Sequence, residues 1–435
     1  MKRQSIWQDD AHFPSFAPLD GDLSTDVLII GGGMAGILCA RMLASEGIDY
    51  ALVEKETLCS GVTKNTTAKI TLQHGLIYHK LMKRLGREQA QQYLTANQAA
   101  LNLYKEWAES IDCDYQTLDN FVYSTCDRNI LMQELAALNS LKVPAEYVRS
   151  LPLPIYTKGA IRVPAQAQFH PLKFAASICR GLNIFEHTRV LELAPNCIRT
   201  ERGRIHARRI IVATHFPMLN KHGGYFMKLY QHRSYVLALN CDYPLDGMYV
   251  DENDKGMSFR RYGDYMLLGG GGHRTGKKGG SYPELHAFTS RHYPDANPVM
   301  EWAAQDCMSL DGIPYIGQYS GQTPDLYVTT GFNKWGMTGA MVGAMLLSGI
   351  ITGKTPEWAE IFNPSRSMLT PQLLINASES AFNLITPVVP RCPHMGCALK
   401  YNPHEHSWDC PCHGSRFTED GKLIDNPATG DLKEK

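Results

Sequence analysis

Apolar runs and an amphipathic stretch alternate at the start of the chain. Val27 to Ile30 is an apolar run of the length that a buried parallel strand shows. A helical pattern follows through Ala44, Gly47 ends it, and a second apolar run spans residues 50–53. This order predicts a strand–helix–strand unit of the kind that opens a parallel sheet.

The turn between the first strand and the helix carries a glycine motif. Gly31, Gly33 and Gly36 form G-x-G-x-x-G, and Glu54 follows 23 residues after Gly31, at the tip of the second strand. The glycines permit a tight turn, a close approach of backbone to a pyrophosphate, and close helix packing, while the acid can bind a ribose. The motif predicts a dinucleotide site rather than a merely structural turn. By itself it does not separate FAD from NAD.

A second apolar region is broken by glycines. Residues 338–353 read TGAMVGAMLLSGIITG, with Gly339, Gly343 and Gly349 interrupting the run. A membrane span needs about 18 or more continuous apolar residues. We therefore expect a glycine-rich helix here and no transmembrane segment.

Charge and composition narrow the class of protein. The 435 residues contain 43 Lys plus Arg and 43 Asp plus Glu, so no excess of positive charge favours a nucleic-acid or anionic-membrane partner. The first 16 residues are charged and lack the apolar core of a secretory signal. Eight cysteines lie before residue 310 without a repeated spacing, as buried thiols do in a reducing compartment. We expect a cytoplasmic protein with no nucleic-acid partner.

The other four cysteines lie close together near the C-terminus. Cys392-x-His394 and, fifteen residues later, Cys410-x-x-His413 supply two thiolates and two imidazoles. Such local density in a cytosolic protein predicts a metal site rather than a disulfide scaffold. Zinc is one candidate, because two cysteines and two histidines bind it in other proteins. The spacing C-x-H is uncommon for zinc, however, and the motif leaves spare cysteines.

Four further segments carry sequence features that, with the glycine motif, form one pattern over residues 24–353. They read SGVTKNTTAKITLQHG from residue 60, FEHTRVLEL from 185, RIIVATH from 209 and LYVTTGFNKWGMTGAMVGAMLLSG from 326. Together with the glycine motif, residues 24–353 resemble the D-amino-acid oxidase-like (DAO) family of FAD-dependent oxidoreductases. The resemblance implies FAD as the cofactor.

The same resemblance implies positions along the cofactor. Besides the three glycines, the positions expected to contact FAD are Glu54, Lys55, Thr66, Thr67, Val190, Gly336, Met337 and Thr338. Lys334 lies at the flavin-facing turn and is a weak catalytic candidate, since a cation there could stabilise reduced flavin or activate dioxygen. A surface lysine in a loop is the alternative. Asp306-Cys307 stands where the family often has Arg-Pro, and no motif identifies an arginine for a substrate carboxylate.

The C-terminal motif resembles the Rieske type of 2Fe–2S protein. In that family two cysteines hold one iron and two histidines the other, which implies Cys392, His394, Cys410 and His413 as ligands. The remaining pair, Cys397 and Cys412, matches the disulfide of the cytochrome-bc subgroup. The region is short for a Rieske domain, so we expect it either to hold the cluster less firmly or to depend on the flavoprotein domain. We also expect residues 375–435 expressed alone not to retain iron.

The expected fold class is α/β, a Rossmann-like FAD domain with an interleaved α+β substrate domain, plus a small all-β Rieske-like C-terminal domain. The DAO-type domain would span residues 1–353, with its FAD part at about 24–75, 156–215 and 321–353 and its substrate part at about 76–155 and 216–320. The proline-punctuated stretch 355–390 predicts a surface linker, assigned to 354–374, before a shortened Rieske domain at 375–435.

A flavin and a Rieske cluster on one chain predict an electron-transfer enzyme. We expect a small amine- or amino-acid-like substrate to be oxidised, with electrons passing from FAD to the cluster and on to an unknown external acceptor, as in a dehydrogenase rather than an oxidase. The alternatives are an electron-transfer module for a partner oxygenase and a non-catalytic FAD-binding redox sensor. The length of the substrate segments argues against the sensor.

Overall fold

The computed structural model describes residues 1–194, 197–219, 222–253, 255–387 and 390–432. These residues form helices α1 (Met34–Ser45), α2 (Tyr78–Ala108), α3 (Arg128–Ser140), α4 (Pro171–Ile178), α5 (Tyr225–Lys228), α6 (Ser281–His292), α7 (Gly336–Thr352) and α8 (Pro371–Ile385). Among them, no helix combines the length and the apolar composition that crossing a bilayer requires.

The first sheet has eight strands and a parallel centre. Its strands are β1 (Leu23–Ile30), β2 (Tyr50–Val53), β7 (Ile184–Phe185), β8 (Val190–Ala194), β9 (Cys197–Thr200), β10 (Arg204–Val212), β16 (Tyr315–Gln318) and β17 (Leu326–Thr330). The strands β17, β10, β1, β2 and β7 run parallel in that order. All four residues of β2 are buried, as expected for a strand covered on both faces. The predicted Rossmann-like unit is therefore present.

The second sheet has nine strands and is interleaved with the first along the chain. Its strands are β3 (Lys69–Ile70), β4 (Gln116–Tyr123), β5 (Glu146–Val148), β6 (Ala160–Gln168), β11 (Leu229–Asn240), β12 (Gly247–Asp251), β13 (Ser258–Tyr262), β14 (Tyr265–Arg274) and β15 (Asn297–Ser309). The pairings are antiparallel except between β12 and β4. Helix α7 packs on α1 and α2, and so joins the two sheets.

A small antiparallel sheet lies at the C-terminal end. It consists of β18 (Lys400–Asn402), β19 (Ser407–Asp409), β20 (Arg416–Thr418) and β21 (Leu423–Asp425). A compact cluster of buried residues, with four cysteines and Phe417 among them, forms its core. The expected fold class, including a small β-domain at the C-terminus, is confirmed.

The segment between the domains differs from the expected surface linker. Arg366 donates to the Asp311 carboxylate (2.8 Å) and Lys228 donates to the Pro364 carbonyl (2.7 Å), so the segment is held against the flavoprotein domain. Residues 371–385 form the regular helix α8 within the stretch expected to be a surface linker. Pro371 fits the first helical turn, where its missing N–H has no partner to lose, and Thr370 caps the helix. Residues 388–389 of the predicted linker and 433–435 of the predicted domain lie outside the described residues.

Candidate functional site

The glycine motif forms the turn from β1 to α1. Gly31 has φ +111°, and a methyl group there would lie 2.6 Å from the Ala213 carbonyl oxygen. A methyl on Gly36 would overlap the carbonyl oxygen of Gly31. The first and third glycines therefore allow the turn, the helix and β10 to approach each other. Helix α1 begins after Gly33, which has no side chain with which to cap it, and the N-terminus of a helix attracts an anion.

Glu54, which follows β2, stabilises the turn from β1 to α1. Its carboxylate accepts hydrogen bonds from the backbone N–H of Gly32 (2.6 Å) and of Glu56 (3.0 Å). Thr63 reaches the turn from the other side and accepts a hydrogen bond from the Met34 N–H (3.0 Å). These contacts fix the carboxylate at the rim of a cavity.

A cavity of about 790 Å³ runs from this turn to the start of α7. The sequence-predicted residues in its wall are Gly31, Gly33, Glu54, Lys55, Thr66, Thr67, Val190, Lys334, Gly336 and Met337. Two others do not line it. Gly36 lies beneath Gly31, and the Thr338 hydroxyl contacts the backbone of Thr71 (3.3 Å). Volume, glycine turns and helix N-termini fit FAD.

The wall near α7 carries charged and aromatic groups. Trp335 stacks on His74, with ring centroids 5.1 Å apart. Lys334 adopts a left-handed conformation with φ +70° and shares the cavity wall with Asp306. Burial raises the pKa of Asp306, while the charge of Lys334 opposes that rise. The cavity thus offers charges of both signs beside the flavin-facing turn.

Asp306 and His215 are among the wall residues that the sequence analysis did not assign to the site. Both residues line the cavity. The signals that could have identified them were the position of His215 at the end of the segment RIIVATH and the departure of Asp306 from the family pattern. His74 also lines the cavity, whereas Arg260, Tyr262 and His273 do not. Arg260 donates to backbone carbonyls beneath the cavity, whereas the remaining two bond elsewhere, Tyr262 to Asp114 and His273 to Tyr235.

The predicted metal ligands converge from two loops. Cys392 and Cys410 are buried, and a hydrogen bond from the Cys410 thiol lowers the pKa of Cys392. The imidazole rings of His394 and His413 lie 4.9 Å apart and nearly perpendicular. The structure therefore pairs the two sulfurs with each other and the two imidazoles with each other, and these are the two kinds of donor pair that hold the irons of a Rieske cluster.

The chemistry of these donors fits metal binding. Burial lowers the pKa of His394 to about 4 and, with smaller effects of His394 and Arg274, that of His413 to about 3. Both imidazoles are therefore neutral at pH 7, the form that binds metals. Within the described chain neither ring nitrogen of His413 has a well-formed hydrogen bond, although both are buried.

A disulfide closes the two loops. It joins Cys397 to Cys412, whose Cα atoms are 6.8 Å apart. The disulfide sulfurs and the Cys410 sulfur lie within 4.8 Å of one another, so the bridge covers one side of the ligand set. Ser415 follows at the second loop, where its hydroxyl accepts a hydrogen bond from the Ala428 N–H (3.0 Å).

The ligand loops face the flavoprotein domain. Phe216, directly after the cavity-lining residues Ala213 to His215, lies 6.3 Å from the His394 ring and 6.5 Å from the His413 ring. Asn426 donates to the carbonyls of Thr214 (2.7 Å) and Phe216 (2.8 Å). Residues 423–426, 428 and 429 complete part of the cavity wall. One wall is thus built by both domains.

A buried ionic network holds this interface. Glu405 of the C-terminal domain pairs with Arg233 of β11 and with Arg416, and also accepts a hydrogen bond from the Tyr235 hydroxyl (2.9 Å). The Gln305 side chain donates to the Gly414 carbonyl (2.8 Å). These contacts hold the C-terminal domain against the flavoprotein domain.

A dinucleotide-binding unit with a large cavity, joined to a two-cysteine, two-histidine centre, defines an iron–sulfur flavoprotein. The model of the FAD dependent oxidoreductase (DAO) family matches residues 26–349, and that of the Rieske 2Fe-2S domain matches residues 374–434. The chain belongs to the DAO family of FAD-dependent oxidoreductases and carries a C-terminal Rieske domain. Its cofactors are FAD and a 2Fe–2S cluster, as the sequence predicted.

Similar proteins cover nearly the whole chain or about four fifths of it. The chain is 32% identical to YhfW of Bacillus subtilis (strain 168), a protein named for a Rieske 2Fe-2S centre, over 99% of this chain and 97% of YhfW. Glycine oxidase from Geobacillus kaustophilus superposes with a TM-score of 0.68 at 18% identity, over 80% of this chain and 100% of that one. L-proline dehydrogenase from P. horikoshii gives 0.66 at 16% identity, over 80% and 98%. These two structures share the fold.

Proposed function

We propose that this protein oxidises a small amine- or amino-acid-like substrate and delivers the electrons one at a time, through its own Rieske domain, to an external acceptor. When bound, FAD would accept an electron pair from a C–H bond next to nitrogen, and the 2Fe–2S cluster would carry one electron at a time. The chain is then a dehydrogenase whose oxidant is a separate molecule.

The observation that carries this function is the short segment between the two sites. Ala213 to His215 line the FAD cavity, and the next residue, Phe216, contacts both histidine ligands. Two residues of extended chain span at most about 7 Å, so one layer of side chains separates the cavity from the cluster ligands. Asn426 fixes this layer by binding the carbonyls on both sides of His215.

The two histidines differ in exposure, which gives the electron path a direction. His413 is buried between Phe216 and Phe226, on the side of the flavoprotein domain. His394 is half-buried and stands beside Met395, whose side chain is 38% exposed. We assign the entry of electrons to the His413 side and their exit to the His394 side.

The substrate class has support from the cavity and from similar folds. Lys334 and Asp306 place a cation and a carboxylate in one cavity wall, which complements the carboxylate and ammonium of an amino acid. Glycine oxidase and L-proline dehydrogenase, which share the fold, are named for amino-acid substrates.

The test compares the complete protein with a variant that lacks the cluster. We would mix the anaerobic wild-type protein with each amine or amino acid of a panel and record flavin absorbance and the EPR spectrum. A substrate should bleach the flavin and produce a Rieske signal. In Cys410→Ser the flavin should still bleach, the signal should be absent, and turnover with a one-electron acceptor should fall at least tenfold.

Cys126→Ser is the matched control, because Cys126 is an exposed free cysteine far along the chain from the cluster loops. It should behave as the wild type. Oxygen consumption that accounts for all turnover and stays unchanged in Cys410→Ser would contradict the function.

A further inference from the structure

A guanidinium from the flavoprotein domain contacts the second cluster-binding loop. Arg274 is the last residue of β14, and it donates to the carbonyls of Pro411 (3.2 Å) and Cys412 (3.1 Å). Both carbonyls lie between the ligands Cys410 and His413 in sequence. The planar fork of the arginine therefore holds the loop that presents one sulfur and one imidazole to the cluster.

The rest of the guanidinium environment fixes its position. A third nitrogen donates to the Asn376 side chain of α8 (2.9 Å). The group lies over the Tyr230 ring, 5.0 Å from its centroid, and Tyr230 lines the FAD cavity. Arg274 thus stands between the cavity wall and the cluster loop, held from three directions.

Among the described residues, no carboxylate forms an ion pair with Arg274. The acid that acts on it electrostatically is Glu379, whose carboxylate is paired with Lys277 (2.6 Å). Among the ligands, Cys410 and His413 both interact electrostatically with Arg274. The positive charge of Arg274 therefore acts on the cluster ligands and is not neutralised by an adjacent carboxylate in the described part of the chain.

We propose that Arg274 raises the reduction potential of the Rieske cluster by placing a fixed, half-buried cation against its second loop. This rests on the proposed function, because it makes the cluster a better acceptor for electrons from the flavin. Reduction adds one negative charge to the cluster, and a nearby cation in a poorly solvated site stabilises that state. Arg274 is a positioning and tuning residue, since it touches the loop and not the metal ligands.

The experiment measures the cluster potential in the full-length, cofactor-loaded protein by anaerobic titration with dithionite followed by EPR. In Arg274→Gln the potential should fall so that the equilibrium constant for cluster reduction drops at least tenfold, equal to about 59 mV for one electron. Arg274→Lys keeps the charge and should retain most of the potential. Lys278→Gln is the matched control, because it removes an exposed cation four residues away and leaves the pair of Lys277 with Glu379 in place, so the potential should be unchanged.

A second variant guards against loss of the cluster in Arg274→Gln. Asn376→Asp leaves the arginine in place and adds a carboxylate against it, so the potential should also fall. An unchanged potential in both variants, or equal shifts in Arg274→Gln and Arg274→Lys, would overturn the proposal. The titration needs no substrate, so failure of the proposed oxidation would appear separately, as a normal potential without flavin bleaching by any substrate.

Discussion

Glu405 of the Rieske domain forms a buried ion pair with Arg233 of the flavoprotein domain. Burial alone would raise the pKa of Glu405, but Arg233 and Arg416 outweigh burial and lower the pKa from 4.5 to about 2. Each pKa unit is worth about 1.4 kcal/mol, so the ionised form contributes about 3 kcal/mol to stability at neutral pH. This agrees with the roughly 3–5 kcal/mol lost when one partner of a buried pair is removed.

We therefore expect Glu405→Gln to destabilise the docked Rieske domain by about 3 kcal/mol. The assay is urea unfolding of the full-length holoprotein, followed by the visible absorbance of the cluster and extrapolated linearly to water. Glu419→Gln is the control, because Glu419 lies in the same domain but is 57% exposed in its pair with His406, and no measurable change is expected.

The acid dependence has a definite sign. The folded pKa of Glu405 lies below the unfolded value, so its contribution is complete above about pH 4.5 and is lost as the pH falls towards 2. The difference between wild type and Glu405→Gln should shrink over that range. A loss below about 1 kcal/mol at pH 7, the size of a surface pair, would refute the reasoning.

Three further outcomes are expected. Residues 375–435 expressed alone should contain less iron than the full-length protein, and a stable, iron-loaded fragment would contradict this. Gly36→Ala should abolish FAD binding, measured by flavin absorbance after purification, because its methyl would overlap the Gly31 carbonyl, whereas Gly321→Ala has open space and should bind FAD normally. Lys334→Met should retain FAD but slow flavin bleaching by substrate about tenfold or more in stopped flow, since the turn loses its cation; an unchanged rate would exclude that role.

Motifs confined to a few residues were predictable from the sequence. The order of strand, glycines, helix and acid around Gly31 and Glu54 is dictated by local backbone and phosphate chemistry, so the unit could be recognised before the structure was known. The same holds for Cys392 and Cys410, because the spacing of each cysteine from a nearby histidine is typical of a metal site.

Long-range contacts were beyond such reasoning. Arg233 and Glu405 are 172 residues apart, and Arg274 meets Cys412 across 138 residues. Periodicity describes which face of an element is buried and carries no information about the partner that covers it. Helix α8 was missed for a different reason, since prolines taken as linker signals include Pro371 at a helix start, where proline is favourable.

The segment from Leu423 to Thr429, which begins with β21, lies in the Rieske domain, and most of its residues form part of the FAD cavity wall. A ligand that fills this cavity therefore gains binding free energy from two folding units and stabilises their docked arrangement by mass action. Thermodynamic linkage makes this effect reciprocal. If bound FAD strengthens docking of the Rieske domain by some factor, the docked Rieske domain strengthens FAD binding by the same factor. The two prosthetic groups are in this sense effectors of each other, coupled in assembly before any electron moves between them.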